Sequence, residues 1–522
     1  MESPVVTSAG MRAAEEAAFN RGVSAETLMA EAAAGIARTV VRFFPVPGRC
    51  ILFAGKGNNA GDAFAAAKLL HDRGWQIEWR SFFADGELSE LALEKLRSLR
   101  AALEGDASAV AAGLKASMEG DAPSSSGGAR GDDRALPSRT VILDGLLGLG
   151  AKRPLRDPIR TACRQINQLR TEHNAFVFAI DLPTGLEGDS GATDEDCVIA
   201  DVTVTIGCAK RGLVVDTALR HVGRLEVVEL PGLAADLPSL APAAVISTAA
   251  SLRHLLPRRS FDAYKNQFGR VGVVAGSRGL TGAAVLCALG ALRGGAGLLR
   301  VYVLEEIYAI VAGSAPPEAM VQPVADYGRL MEEPVDVWAV GPGLGRANAV
   351  EIRRLIEQSE RPMVLDADGL NIVADDIAIL QRCAGPRLLT PHPGEMKRLA
   401  PNAACSRGEI VGEFCERFPV TLLLKGSRTI VGERSRPHAF NTTGNPGMST
   451  GGMGDVLTGV CAALLGQKLA PYDAARLAAW LCGRAAEIAI FDGGASEESL
   501  LPSDVLENLG AAFRDLHASG AT

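Results

Sequence analysis

The chain has 522 residues, 47% hydrophobic and 22% charged, with 58 Gly and 27 Pro, which excludes a single small module, a disordered chain and a coiled coil. With 53 Lys and Arg against 61 Asp and Glu the formal charge is -8, so no global basic field exists to hold a nucleic-acid backbone. The opening MESPVVTSAG lacks a basic segment followed by an apolar one, and no uncharged apolar run reaches the ~18 residues of a membrane span, so a cytoplasmic protein without a membrane partner is expected.

In chain order, residues 1–235 read as one domain, with strands predicted at 50–54, 75–82, 140–144, 175–181, 201–207 and 224–230. Their nearly unbroken apolar text suits buried parallel strands covered by helices on both faces. Leu88, Leu91, Leu96, Leu99 and Leu103 fall at roughly helical spacing and mark a packed helix face. Residues 119–133, EGDAPSSSGGARGDD, have no periodicity and read as a disordered insertion. Residues 236–250 read as a linker. The second domain is expected at 251–522, with strands at 271–275, 298–304, 336–340, 362–366, 420–424 and 428–431 among alanine-rich helices. The fold class is therefore α/β, two three-layer αβα domains, and ligands are sought at the carboxyl ends of the strands. The ten cysteines form no CxxC pair and read as structural thiols rather than as a disulfide or zinc framework.

The first domain places unusual residues at three strand ends. Gly55-Lys56-Gly57-Asn58-Asn59-Ala60-Gly61-Asp62 leads from a strand into a helix, where bare N–H groups favour an anion. Asp144 closes one apolar strand ahead of Gly145-Leu146-Leu147-Gly148-Leu149-Gly150, and Asp181 closes another ahead of Leu182-Pro183-Thr184-Gly185. A carboxylate there is costly unless it caps a helix, is paired, holds a cation or does chemistry.

These segments, in this order over about residues 1–230, resemble the NAD(P)H-hydrate epimerase family, and Ala200–Thr205 with Lys210-Arg211-Gly212 extends the match. The resemblance implies a Rossmann-like fold that interconverts the R and S hydrates. It implies K+ held by Asn59, Asp144 and Thr184. It also implies a hydrate pocket of Asn58, Asn59, Ala60, Gly61 and Asp62 with Gly148, Leu149, Gly150, Ala151, Lys152, Arg153 and Pro154, and Asp181 as the acid/base residue. Ala60 and Ala63 stand where the family has glycine, and a Cβ at position 60 could crowd a backbone that must meet the ligand.

The second domain carries Asn441-Thr442-Thr443-Gly444 and, after it, Gly451-Gly452-Met453-Gly454-Asp455, running into an apolar helix. Glycine N–H groups at a helix start suit a transferring phosphoryl group, and Asp455 is placed to accept a hydroxyl proton. Lys425-Gly426-Ser427-Arg428-Thr429, Gly341-Pro342-Gly343, Asp366 and Thr390-Pro391-His392-Pro393-Gly394-Glu395 follow other strands. His392 reads either as a ligand contact or as a structural residue.

This half, about 251–517, resembles the NAD(P)H-hydrate dehydratase family of ribokinase-like fold. The resemblance implies that Ala284, Gly343, His392 and Asp455 contact the hydrate, with Asp455 catalytic, while Lys425, Gly426, Ser427, Arg428, Thr429 and Gly454 cradle the nucleotide. ADP is the expected donor, with ATP as the alternative. Mg2+ is expected from the polyphosphate chemistry, with Asp366 and Glu395 as weaker candidates to organise it. NADHX, NADPHX and ADP are thus the expected partners, and the chain has room to be a homo-oligomer. The competing reading is a kinase of a small alcohol or vitamin precursor with a degenerate N-terminal binding domain.

Overall fold

Runs such as Ile51-Leu52-Phe53 and Val141-Ile142-Leu143 are apolar on both faces, and each forms a central strand with helices on either side. The computed structural model describes residues 2–105, 139–150, 153–235, 242–401 and 406–518. The expected insertion at 119–133, the expected pocket residues Ala151 and Lys152, and Cys405 lie outside the described residues. The chain forms two compact units, one of residues 4–241 and the other of 242–522 with the first three residues. Within the second unit Glu2 is held by the buried Arg476 guanidinium at 2.6 Å.

In the first unit six strands run parallel in the spatial order Gln76–Ser81, Arg49–Ala54, Thr140–Gly145, Phe176–Ile180, Val202–Ile206 and Arg224–Val228. The order reverses between Arg49–Ala54 and Thr140–Gly145, so the loops leaving these strands diverge and open a crevice. Ile51, Phe53, Ile142, Val177 and Ala179 share a core with the helix Ile159–Glu172. The helix Asn58–His71 packs between the helices Ala25–Phe43 and Glu90–Gly105. Val5 and Val6 add a short parallel pairing to Ala209 and Lys210.

The second unit has seven parallel strands in the order Ala319–Val324, Leu298–Leu304, Arg270–Val274, Val337–Val340, Met363–Leu365, Arg387–Leu389 and Thr421–Leu424. Ile430–Gly432 and His438–Asn441 continue it antiparallel, and Ala244–Ser247 pairs parallel with the latter. Part of the expected linker is thus a strand, because Val245 and Ile246 are buried and complete the sheet. Its core includes the helices Thr281–Arg293, Met453–Gly466 and Pro471–Phe491. Among the described residues no helix is long and apolar enough to cross a membrane. The nine described cysteines are free thiols, eight of them buried.

Gly341, after the strand Val337–Val340, has φ +124°, and a Cβ there would lie 1.9 Å from the Asp366 carbonyl oxygen. Gly341→Ala is therefore expected to destabilise the second unit by on the order of 4 kcal/mol. Thermal unfolding checks this, and a melting temperature within a degree or so of wild type would contradict it.

Candidate active sites

The crevice of the first unit is a cavity of about 860 Å³ whose lining includes Asn58, Asn59 and Asp62 from one loop and helix start. Leu146 to Gly150 and Arg153 to Ile159 form the facing wall, with Asp181, Lys210 and Glu15 also on the lining. The expected pocket residues Ala60 and Gly61 do not line it. Ala60 and Ala63 are fully buried, a Cβ on Gly61 would meet the Met29 methyl at 2.5 Å, and one on Gly145 would meet Ala63. Helical rotation turns these residues away from the cavity, so the expected crowding by Ala60 does not arise.

Asp144 is fully buried. It accepts the Thr184 hydroxyl at 2.7 Å, the Thr184 N–H at 2.8 Å and the Leu146 N–H at 3.3 Å. Thr184 Oγ1 in turn accepts the Leu147 N–H at 3.2 Å, and Asn59 Nδ2 donates to the Leu147 carbonyl at 3.1 Å. Asn59, Asp144 and Thr184 are thus joined around one loop. Burial pushes the Asp144 carboxyl up to about 6, against those hydrogen bonds, and among the described residues it has no cationic partner.

Asp181 sits at φ +66°, a conformation costly for a residue with a Cβ and typical of functional turns. Its Oδ1 accepts from the buried Lys210 ammonium and from the Ile206 N–H at 3.2 Å. Burial, more than the neighbouring Asp181 and Glu15, holds the Asp62 carboxyl well above the usual carboxylate range. Burial likewise raises Glu15, although Lys210 opposes it.

In the second unit, Asp455 lies in the first turn of the helix Met453–Gly466, behind Gly452 at φ +95°. That left-handed cap turns the chain sharply and presents the first-turn N–H groups outward. Asp366, at the end of Met363–Leu365, is 2% exposed. It accepts Lys425 Nζ at 2.7 Å and the Thr458 hydroxyl at 3.0 Å. Lys425 reaches Glu395 at 3.8 Å, and a Cβ on Gly454 would lie 3.1 Å from its ammonium. Burial, then the nearby Asp366, pushes the Asp455 carboxyl up to about 7 even though Lys425 opposes this.

Several expected contacts are placed differently. The Lys425 ammonium stands 2.7 Å from Asp366 and 3.8 Å from Glu395, the two carboxylates expected to organise Mg2+. Among the described residues no group of three His, Cys, Asp or Glu side chains is arranged to hold a metal. His392 caps the helix Pro393–Leu399: its Nδ1 accepts the Gly394 and Glu395 N–H groups, and its Nε2 lies 3.5 Å from Glu395 Oε1. Gly426 and Ser427 are exposed in the hairpin turn, but the Arg428 side chain is buried rather than presented there. Ala284 is fully buried in the apolar core, and Gly343 adopts φ +56° where a Cβ would run into Ala283 and Leu280. Sequence reasoning missed Glu15, Thr458 and Arg407, whose guanidinium stands beside Gly426. The three-residue offset of Thr458 from Asp455, one helical turn, was the available signal for the second.

Comparison with known proteins agrees with this division. The family described as YjeF-related protein N-terminus matches residues 25–212, and that described as NAD(P)H-hydrate dehydratase matches 271–508. A bifunctional NAD(P)H-hydrate repair enzyme of Moorella thermoacetica is 35% identical over 498 residues, covering 90% of this chain and 88% of the relative. One from Escherichia coli is 32% identical over 489 residues, covering 91% and 88%. A solved ADP/ATP-dependent NAD(P)H-hydrate dehydratase of Bacillus subtilis is 28% identical, with a TM-score of 0.46, covering 52% of this chain and 98% of that one. A fused chain with an acid-bearing site in each half, alike along nine-tenths of its length to such relatives, belongs to the family of bifunctional NAD(P)H-hydrate repair enzymes.

Proposed function

We propose that this chain repairs hydrated nicotinamide cofactors in the cytoplasm, epimerising NADHX and NADPHX at the first-unit cavity and dehydrating the S epimer at Asp455 with ADP as phosphoryl donor. The observation that carries it is the Asp455 carboxyl, raised to about 7 beside a helix start and the Lys425 ammonium. A base poised near neutral pH next to an anion cradle suits transfer of a phosphoryl group to a hydroxyl.

Hydroxide is a poor leaving group. Asp455 accepts the C6 hydroxyl proton as the oxygen attacks the terminal phosphorus of ADP, and AMP departs. The C6–O bond then breaks to release phosphate, the N1 lone pair forms N1=C6, and loss of a proton from C5 restores the reduced nicotinamide. Lys425 and the N–H groups of Met453 and Gly454 stabilise phosphoryl charge. Mg2+ would arrive with the nucleotide's phosphates rather than on Asp366 and Glu395. The test is stoichiometry: S-NADHX, ADP and Mg2+ should yield NADH, AMP and phosphate in equal amounts. A stable phosphorylated product would favour a small-alcohol kinase.

The donor set of the first unit fits K+. Asn59, Asp144 and Thr184 offer oxygen ligands for a hard monovalent cation, and among the described residues no cation is paired with the buried Asp144 carboxylate. Bound there, K+ would neutralise Asp144 and steady the Leu147–Gly148 wall. Thr184→Ala is expected to raise the K+ concentration needed for half-maximal epimerisation by about 10-fold or more. Titration with KCl at constant ionic strength checks this, and an unchanged midpoint would contradict it.

A further inference from the structure

The cavity of the first unit brings one lysine and three carboxyl groups together, Lys210 with Asp181, Glu15 and Asp62. Lys210 is 1% exposed. Its ammonium donates to Asp181 Oδ1, to Thr205 Oγ1 at 3.2 Å and to the Ile206 carbonyl at 2.9 Å, so all three protons are committed. Asp181 Oδ1 also faces the Ile206 N–H and the Thr205 hydroxyl, at 3.2 and 3.4 Å. Donors from Lys210, Ile206 and Thr205 thus converge on one oxygen of Asp181 and fix its position. Asp62, on the helix Asn58–His71, accepts no hydrogen bond from any described residue. Burial, then the neighbouring Asp181 and Glu15, favours the protonated form of Asp62 at this wall of the cavity.

We propose that Asp62 is a second catalytic residue of the first unit, the acid that complements Asp181 as base, and that Lys210 is the positioning residue that fixes Asp181. The assignment rests on the reading of this unit as an epimerase. The exchange needs no outside reactant. Asp181 takes the C6 hydroxyl proton, the O–H electron pair becomes the second bond of C6=O, and the C6–N1 bond breaks. Its electron pair goes to N1, which receives the Asp62 proton. Rotation about C5–C6 presents the aldehyde's other face. N1 then attacks C6 and returns its proton to Asp62, while Asp181 returns the first proton to the oxygen. The C6 centre is inverted and both carboxyl groups are restored.

The experiment uses the full chain with the R epimer of NADHX and no ADP, following the epimer ratio by chromatography, with ADP-dependent dehydration of the S epimer as an internal control. Asp62→Asn and Asp181→Asn should each lower epimerisation kcat by about 10²-fold or more with KM little changed. Asp62→Glu, which keeps the acid, should retain more activity than the isosteric Asn. Lys210→Met should lower kcat, and Lys210→Arg should recover part of it. Wild-type kcat in Asp62→Asn, a Glu variant slower than Asn, or an Arg variant no better than Met would overturn the assignment while leaving the epimerase reading standing. A wild-type chain that does not alter the epimer ratio would overturn both.

Discussion

Asp455→Asn is expected to lower ADP-dependent dehydration of the S hydrate by about 10²–10⁴-fold while leaving epimerisation at the first unit intact. The carboxyl sits in a helix start where burial and Asp366 push it up to about 7, so the wild-type rate should rise with pH through that value as the base ionises. The same shift makes Asp455 a stability cost. Because its folded value is raised, protonation favours the folded state below the ordinary carboxylate range, and that contribution disappears as pH climbs from about 4 through about 7. Asn has no such loss. The variant should therefore gain melting temperature over wild type across that window and keep the gain at pH 8, by ~2–4 °C for each kcal/mol. A dehydratase rate equal to wild type would remove Asp455 from the chemistry, and a lower melting temperature at pH 8 would contradict the electrostatic account.

Lys425→Met is expected to destabilise the second unit severely. It strips the Lys425 ion pair from Asp366, which is 2% exposed and otherwise bonded through Thr458, and leaves Glu395 without its distant partner. Removing one member of a buried pair costs about 3–5 kcal/mol, because the remaining charge is unpaired. Adding Asp366→Asn to the same chain should recover much of the stability and none of the activity, since the ammonium proposed to meet the phosphoryl group is still missing. Denaturant unfolding of the two single variants and the double variant measures the coupling. Purely additive losses would show that the pair contributes no interaction of its own.

The sheets were legible where apolar runs are dense. Leu298–Leu304 falls where its text places it, and Arg49–Ala54 and Val202–Ile206 agree to within a residue or so. Ala319–Val324 and Ala244–Ser247 were not read as strands, the first because an edge strand alternates with exposed residues, the second because four residues between small ones resemble a linker. In the site, Asp144, Asp181 and Asp455 stood out because a carboxylate at an apolar boundary needs a reason. Glu15 did not, since it lies in Ala-Ala-Glu-Glu-Ala-Ala text that reads as a solvated helix face. Ala60, Gly61 and Ala284 are turned into the core by a helical rotation that a linear motif does not carry. Lys210 was read only as part of a motif, whereas in the fold its two-residue strand pairs with Val5 and Val6 and its ammonium reaches Asp181.

The most direct test of the two-site account gives the purified chain a mixture of R and S NADHX with K+, Mg2+ and either ADP or ATP, and follows NADH absorbance with phosphate release. The account predicts conversion of both epimers to completion with ADP, with one phosphate released per NADH. Conversion that stops when the S epimer is exhausted would contradict the epimerase half, and no NADH with either nucleotide would contradict the repair function itself.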